Sequence, residues 1–178
     1  MITRRHATRH TDGVEPTSQP ASDPRLARGD EADALAELWL RSRRASMPAI
    51  PPPVHSDDEV RSYFASVHLV RHEVWTIADD DAPVALMVLD GPWLDQLYVD
   101  PDHTGRGLGT QLLALAKRRR PGGLDLWTFE SNVGARRFYE RHGFVAVEAT
   151  DGDNEEGAPD VHYRWTPDGA TYGTLRRD

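Results

Sequence analysis

Residues 97–110 read Leu-Tyr-Val-Asp-Pro-Asp-His-Thr-Gly-Arg-Gly-Leu-Gly-Thr, and a leucine-rich run of helix-forming composition follows at once. A short apolar strand, a turn at Asp100-Pro101 and glycines at 105, 107 and 109 opening a helix make a cradle for phosphate. Glycine lets the backbone approach an anion closely enough for several N–H groups to point at it, and the helix N-terminus adds about half a positive charge. The expected chemistry is that of a phosphorylated cofactor. A P-loop would carry Lys and then Ser or Thr after its last glycine, and no Lys follows here. A dinucleotide fold would need Gly-x-Gly-x-x-Gly; Gly105 and Gly107 fit, but position 110 is Thr. Asp125 stands about 20 residues on, as that fold requires, yet it falls early in the apolar run 124–129 instead of at its C-terminal end.

A third cradle fits better. Thr104-Gly105-Arg106-Gly107-Leu108-Gly109 resembles the pyrophosphate loop of the GCN5-related N-acetyltransferase (GNAT) family, Arg/Gln-x-x-Gly-x-Gly/Ala. Gly107 and Gly109 take its two small positions, and Thr104 departs from the Arg or Gln at its start. Downstream, Asn132-Val-Gly-Ala135-Arg-Arg-Phe138-Tyr139-Glu-Arg-His-Gly143-Phe144 resembles the family's Asn-x-x-Ala-x-x-Phe-Tyr-x-x-x-Gly-Phe at every fixed position. Two motifs in the family's order are far more specific than either alone, and the resemblance spans residues 23–166.

The resemblance implies an α/β GNAT fold: a mixed, mostly antiparallel sheet of about six to seven strands with four helices. That sheet splays between the strands before and after the pyrophosphate-loop helix. It implies acetyl-CoA as co-substrate, with no metal. The pyrophosphate would lie on Gly105, Arg106, Gly107, Leu108, Gly109 and Thr110. The pantetheine arm would add to the strand Leu97-Tyr98-Val99 through backbone groups, one of which could also steady the oxyanion. Asn132 would bind that arm, Ala135 would leave it room, and Tyr139 would protonate the departing thiolate. Positions 132, 135 and 139 lie within about 60° of one another on a helix, with Phe138 pointing elsewhere. The implied activity is acetyl transfer to a primary amine by direct attack in a ternary complex. A non-catalytic acyl-CoA sensor is the alternative.

An amine of pKa about 10 must lose a proton before it attacks. Asp95, on the strand before the loop, is slightly favoured as base over Glu73, Glu156, Asp160 and His162. Lys117 to Arg120 fall at the end of the long helix, where cations complement its dipole, and read as solvent-facing. Arg136 and Arg137 lie within reach of the ribose 3′-phosphate or on an exposed face. The loop 151–160 holds five acids and no base. In the family such a loop borders the acceptor pocket, as does the link 48–55 between the first helices.

The chain has 178 residues, no cysteine and a net charge of −8. That size makes one domain, 23–168, between a disordered tail at 1–22 and a C-terminal tail at 169–178. Lack of cysteine excludes disulfides, thiolate metal sites and a cysteine acyl-enzyme. The acidic body argues against nucleic acid and suits a cationic acceptor, a small-molecule or peptide amine. No apolar run is long enough for a membrane span and no signal peptide is visible, so a cytoplasmic location is expected. Homodimers are frequent in the family.

Periodicity supplies the elements around these residues. Asp23 to Arg28 reads as a strand, and Asp30 as the cap of a helix burying Leu35, Leu38 and Trp39. Ser56 opens a second helix with Val60, Tyr63, Phe64 and Val67 inward. Strands are expected over 74–78, 84–89, 94–99 and 124–129, helices over 107–119 and 132–141, and a closing hairpin at 144–148 and 161–165. Strands with turns, then strands alternating with helices, give a mixed α/β sheet.

Overall fold

The computed structural model describes residues 22–167 and the backbone of 176–177. The tail expected over 1–22 lies outside the described residues except for Ser22, whose N–H donates to the Ala78 carbonyl at 2.9 Å. In chain order the strands are β1 (Arg25–Leu26), β2 (Glu73–Asp79), β3 (Ala82–Asp90), β4 (Trp93–Val99), β5 (Leu124–Phe129), β6 (Val145–Thr150), β7 (Asp160–Trp165) and β8 (Arg176–Arg177). The helices are α1 (Ala32–Ala45), α2 (Asp57–Tyr63), α3 (Leu69–Arg71), α4 (Leu108–Arg119) and α5 (Val133–Arg141); a π turn at Phe64–His68 joins α2 to α3. One sheet runs β1-β2-β3-β4-β5-β7-β6-β8. Among the described residues, only β4/β5 and β6/β8 pair in parallel. β1 and β8 are two-residue edge pieces, and β8 lies in the segment expected as a C-terminal tail.

The central strand β3 is buried on both faces. Ala85, Met87 and Leu89 pack toward α4 and α5 with Leu112, Leu113, Leu124 and Leu126. Leu86 and Val88 pack toward α1 and α2 with Leu35, Leu38, Leu40 and Phe64. Strand alternation thus builds two cores back to back. The hairpin turn at Asp80 and Asp81 takes φ of 47° and 66°, the left-handed pair that a two-residue turn needs.

Two expectations change in detail. Asp30 does not cap α1: the chain enters through a 3₁₀ turn at Gly29–Glu31, and buried Glu31 accepts from the Arg28 N–H at 2.7 Å. In the second helix, Val60, Phe64 and His68 are buried, while Tyr63 is exposed. The π turn closes i→i+5 and brings every fourth residue back to the core, so His68 takes the place expected for Val67.

Two features of β4 shape the site. Val88 faces Gln96 and Leu89 faces Leu94, which leaves Asp95 as the extra residue of a β-bulge. On the other edge, β4 and β5 share a single paired rung, Trp93 with Asp125. Beyond it the strands diverge, and the sheet opens into a gap between its two halves.

Candidate functional site

The gap leads into a cavity of about 720 Å³. Leu97 and Tyr98 of β4, Thr128 and Phe129 of β5, and Asn132, Ala135 and Tyr139 at α5 line one part. Trp39 and Arg43 of α1, His55 and Glu59, His68, Asp95 and residues 154–156 line the rest. Six of the expected site residues, Asp95, Leu97, Tyr98, Asn132, Ala135 and Tyr139, therefore share one space. The cradle residues, at the N-terminus of α4, and Val99, the last residue of β4, lie outside it.

The cradle forms because its glycines take conformations that L side chains avoid. Gly105 and Gly107 have φ of 76° and 79°, and Gly107 caps α4 from the left-handed region. The first N–H groups of α4 have no intrahelical partner by geometry and face outward as donors. Gly109 sits where α4 meets α5: a Cβ there would lie 3.6 Å from the Phe138 ring and 3.7 Å from Val99. Upstream, Asp100 anchors the loop: its N–H donates to the Val84 carbonyl at 2.8 Å and its carboxylate accepts from the Asp102 N–H at 2.9 Å. Burial opposes its ionisation, but the Asp102 N–H, His103 and Arg41 outweigh that and hold it below the usual carboxylate range. Arg106 lies 3.5 Å from Asp79, half-exposed beside the loop.

Tyr139 is held by the second motif. α5 ends in a Schellman turn: the Phe144 N–H reaches the Tyr139 carbonyl at 3.1 Å and the Gly143 N–H reaches that of Glu140 at 3.0 Å. Gly143 supplies the required left-handed residue at φ 79°. Phe144 then folds back under the Tyr139 ring, centroids 5.6 Å apart. Burial, and after it the nearby Tyr98, raises the Tyr139 hydroxyl well above its ordinary value, so it remains a proton donor at neutral pH. Asn132 caps α5, its Oδ1 accepting from the Ala135 N–H at 3.1 Å.

The base candidates separate cleanly. Glu73 pairs with Arg119 at 3.1 Å and Arg120 at 3.0 Å, away from the cavity. His162 hydrogen-bonds Asp125 at 2.7 Å and is flanked by Trp93 and Trp127. Neither lines the cavity. Asp95, Glu156 and Asp160 do. Asp160 accepts from Thr150 and Asn154, which shapes the β6–β7 loop. Glu156 pairs at 2.9 Å with Arg43, a buried guanidinium that also stands over Trp39. His55 and Glu155 meet at 2.9 Å. The acidic loop is therefore tied across the cavity to α1 and to the link before α2.

One cation reading is corrected. Lys117 does not face solvent: its ammonium donates to the His142 carbonyl and lies over the Trp165 ring at 4.7 Å, and burial lowers its pKa. Arg136 is tied to the Tyr163 hydroxyl at 3.2 Å and the Glu130 carbonyl at 3.2 Å. Sequence reasoning placed His55 only within the link 48–55 and missed Arg43 and His68. His68 is buried, and burial keeps it neutral by lowering its pKa, which Asp95 partly offsets. Its one sequence signal was the i,i+4 spacing to His72.

A family model for the acetyltransferase (GNAT) domain matches residues 70–146. The peptidyl-lysine N-acetyltransferase YjaB of Salmonella typhimurium is 31% identical over 132 residues, which cover 73% of this chain and 88% of that protein. The solution structure of apo-form YjaB from Escherichia coli has a TM-score of 0.66 and 27% identity, covering 82% of this chain and 97% of that one. At 16% identity, the PaiA N-acetyltransferase of Thermoplasma acidophilum, solved in complex with coenzyme A, shares the fold with a TM-score of 0.60 over 81% of this chain and 98% of that one. Among the described residues no helix is long and apolar enough to cross a membrane.

Proposed function

From the premise that the chain belongs to the GNAT acetyltransferase family and is an acyltransferase, we propose that it moves an acetyl group from acetyl-CoA to a primary amine on a cationic acceptor. The observation that carries this reading is the gap between β4 and β5, which opens into a cavity lined by the β4 edge and the buried Tyr139.

In this reading residues 105–110 hold the pyrophosphate with backbone N–H groups, and Arg106 swings from Asp79 toward it. The β4 edge at Leu97, Tyr98 and Val99 receives the pantetheine arm as an added strand. The amine nitrogen attacks the thioester carbonyl carbon, and Asp95 takes the amine proton through water. The C–S bond then breaks and the leaving sulfur takes the Tyr139 proton, which gives amide and free thiol. Among the described residues, Arg43 is the one guanidinium on the cavity wall, against the carboxylates of Glu59, Asp95, Glu155, Glu156 and Asp160. That imbalance favours a positively charged acceptor, such as a peptide lysine, the substrate class in the name of the YjaB relatives.

Calorimetric titration with acetyl-CoA, with NAD and ATP as controls, tests the reading. Saturable binding of acetyl-CoA alone is the expected result. No binding by folded protein overturns it.

A further inference from the structure

Two histidines one turn apart and the carboxylate of the β4 bulge converge on one point of the cavity wall. We infer that His68, His72 and Asp95 form a site for a divalent transition-metal ion, zinc foremost. The Nδ1 atoms of His68 and His72 lie 3.1 Å apart, and Asp95 Oδ2 is 4.0 Å from the first. The three donor atoms lie within 4.8 Å of one another. Two nitrogens bound to one tetrahedral zinc at about 2.0–2.1 Å stand roughly 3.3 Å apart, so the histidine pair already has the needed separation. Asp95 must come closer by about 1 Å on that geometry, and its side chain is 40% exposed at a bulge, free to do so.

The surroundings suit ligation. The π turn fixes His68 edge-on against Tyr63 and Phe64, ring centroids 4.8 Å away in each case. The other nitrogen of His72 faces the Asp90 carboxylate at 3.8 Å. The negative charge on that side favours the proton on Nε2 over Nδ1, the side on which a ligating histidine usually finds its outer-shell carboxylate. Two imidazoles and one carboxylate suit zinc and its neighbours; calcium and magnesium call for oxygen donors. His68 and Asp95 line the cavity, which supplies an entry path and a fourth coordination position open to water.

The site shares Asp95 with the proposed acetyl transfer, so zinc bound there would withhold that carboxylate from the amine proton; the site is tested by metal binding alone. The full chain, stripped with a chelator, is titrated with zinc by calorimetry and by competition against a chromogenic chelator. One equivalent is expected to bind. His72→Gln and Asp95→Asn, each checked for native circular dichroism, should weaken that equivalent by at least about 10–100-fold. His103→Gln, which sits outside the cavity, should leave it unchanged. Asp95→Asn lies at an exposed position and keeps the test decisive should His72→Gln unfold. No binding up to millimolar zinc, or binding indifferent to both substitutions, overturns the site.

Discussion

Tyr139 combines a hydroxyl that stays protonated with a ring clamped by Phe144 and the Schellman turn. As the acid of the proposed reaction, its loss in Tyr139→Phe should lower kcat by roughly 10²–10⁴-fold, with acetyl-CoA affinity from calorimetry nearly unchanged. Because its folded pKa is raised, its proton should not limit the rate below the ordinary tyrosine value of 10.0, so no alkaline loss of kcat in that range should vanish in the variant. Tyr139, Asn132 and Ala135 were legible because their spacing on one helix face is a local property. Asp95 was legible only as a carboxylate on a strand. Nothing local announces a β-bulge, which depends on how β3 and β4 register. Arg43 was illegible because its partner, Glu156, lies 113 positions away in the chain.

At the scale of elements, strands and helices followed the period of their apolar residues, and β5 was legible to the residue. The 3₁₀ entry to α1 and the π turn were not, since both arise from tertiary demands on a backbone that could otherwise continue as α-helix. The entry is joined to β1 by Arg25, which grips Glu31 with two hydrogen bonds of 2.9 and 2.6 Å. The Arg25 guanidinium, against the opposing effect of burial, holds the Glu31 carboxyl below its usual value. A lowered folded pKa contributes stability above the unfolded value of 4.5, lost as pH falls through the folded one. Glu31→Gln should therefore destabilise the protein by about 1–3 kcal/mol at pH 7 in urea unfolding. That gap should shrink as the pH is taken below 4.5. In the cradle, Gly107 has open space around it but a left-handed φ of 79°. Gly107→Ala should lower stability by about 1–2 kcal/mol from backbone conformation alone. That corresponds to roughly 2–8 °C in Tm by differential scanning calorimetry.

At the scale of the whole molecule, the two halves of the sheet meet through one β4–β5 rung and the cores beneath it. A ligand that fills the gap binds only the folded chain. Acetyl-CoA at 100 times its Kd should add about 2.7 kcal/mol of stability, roughly 5–11 °C in Tm for a domain of this size. NAD should add none, and a thermal melt with each separates the outcomes. The mixed α/β sheet was legible from the succession of strands and helices, but its splay only through the resemblance carried by two motifs, since periodicity gives strands and not their order.

The same single rung bears on how a catalytic cycle would end. Backbone groups along the parted edge of β4 cannot distinguish acetylated from free pantetheine, for the arm they would meet is identical in both. The grip that admits the donor would therefore also retain the spent carrier, and exit of coenzyme A would be opposed by the opening that recruits its acetylated form.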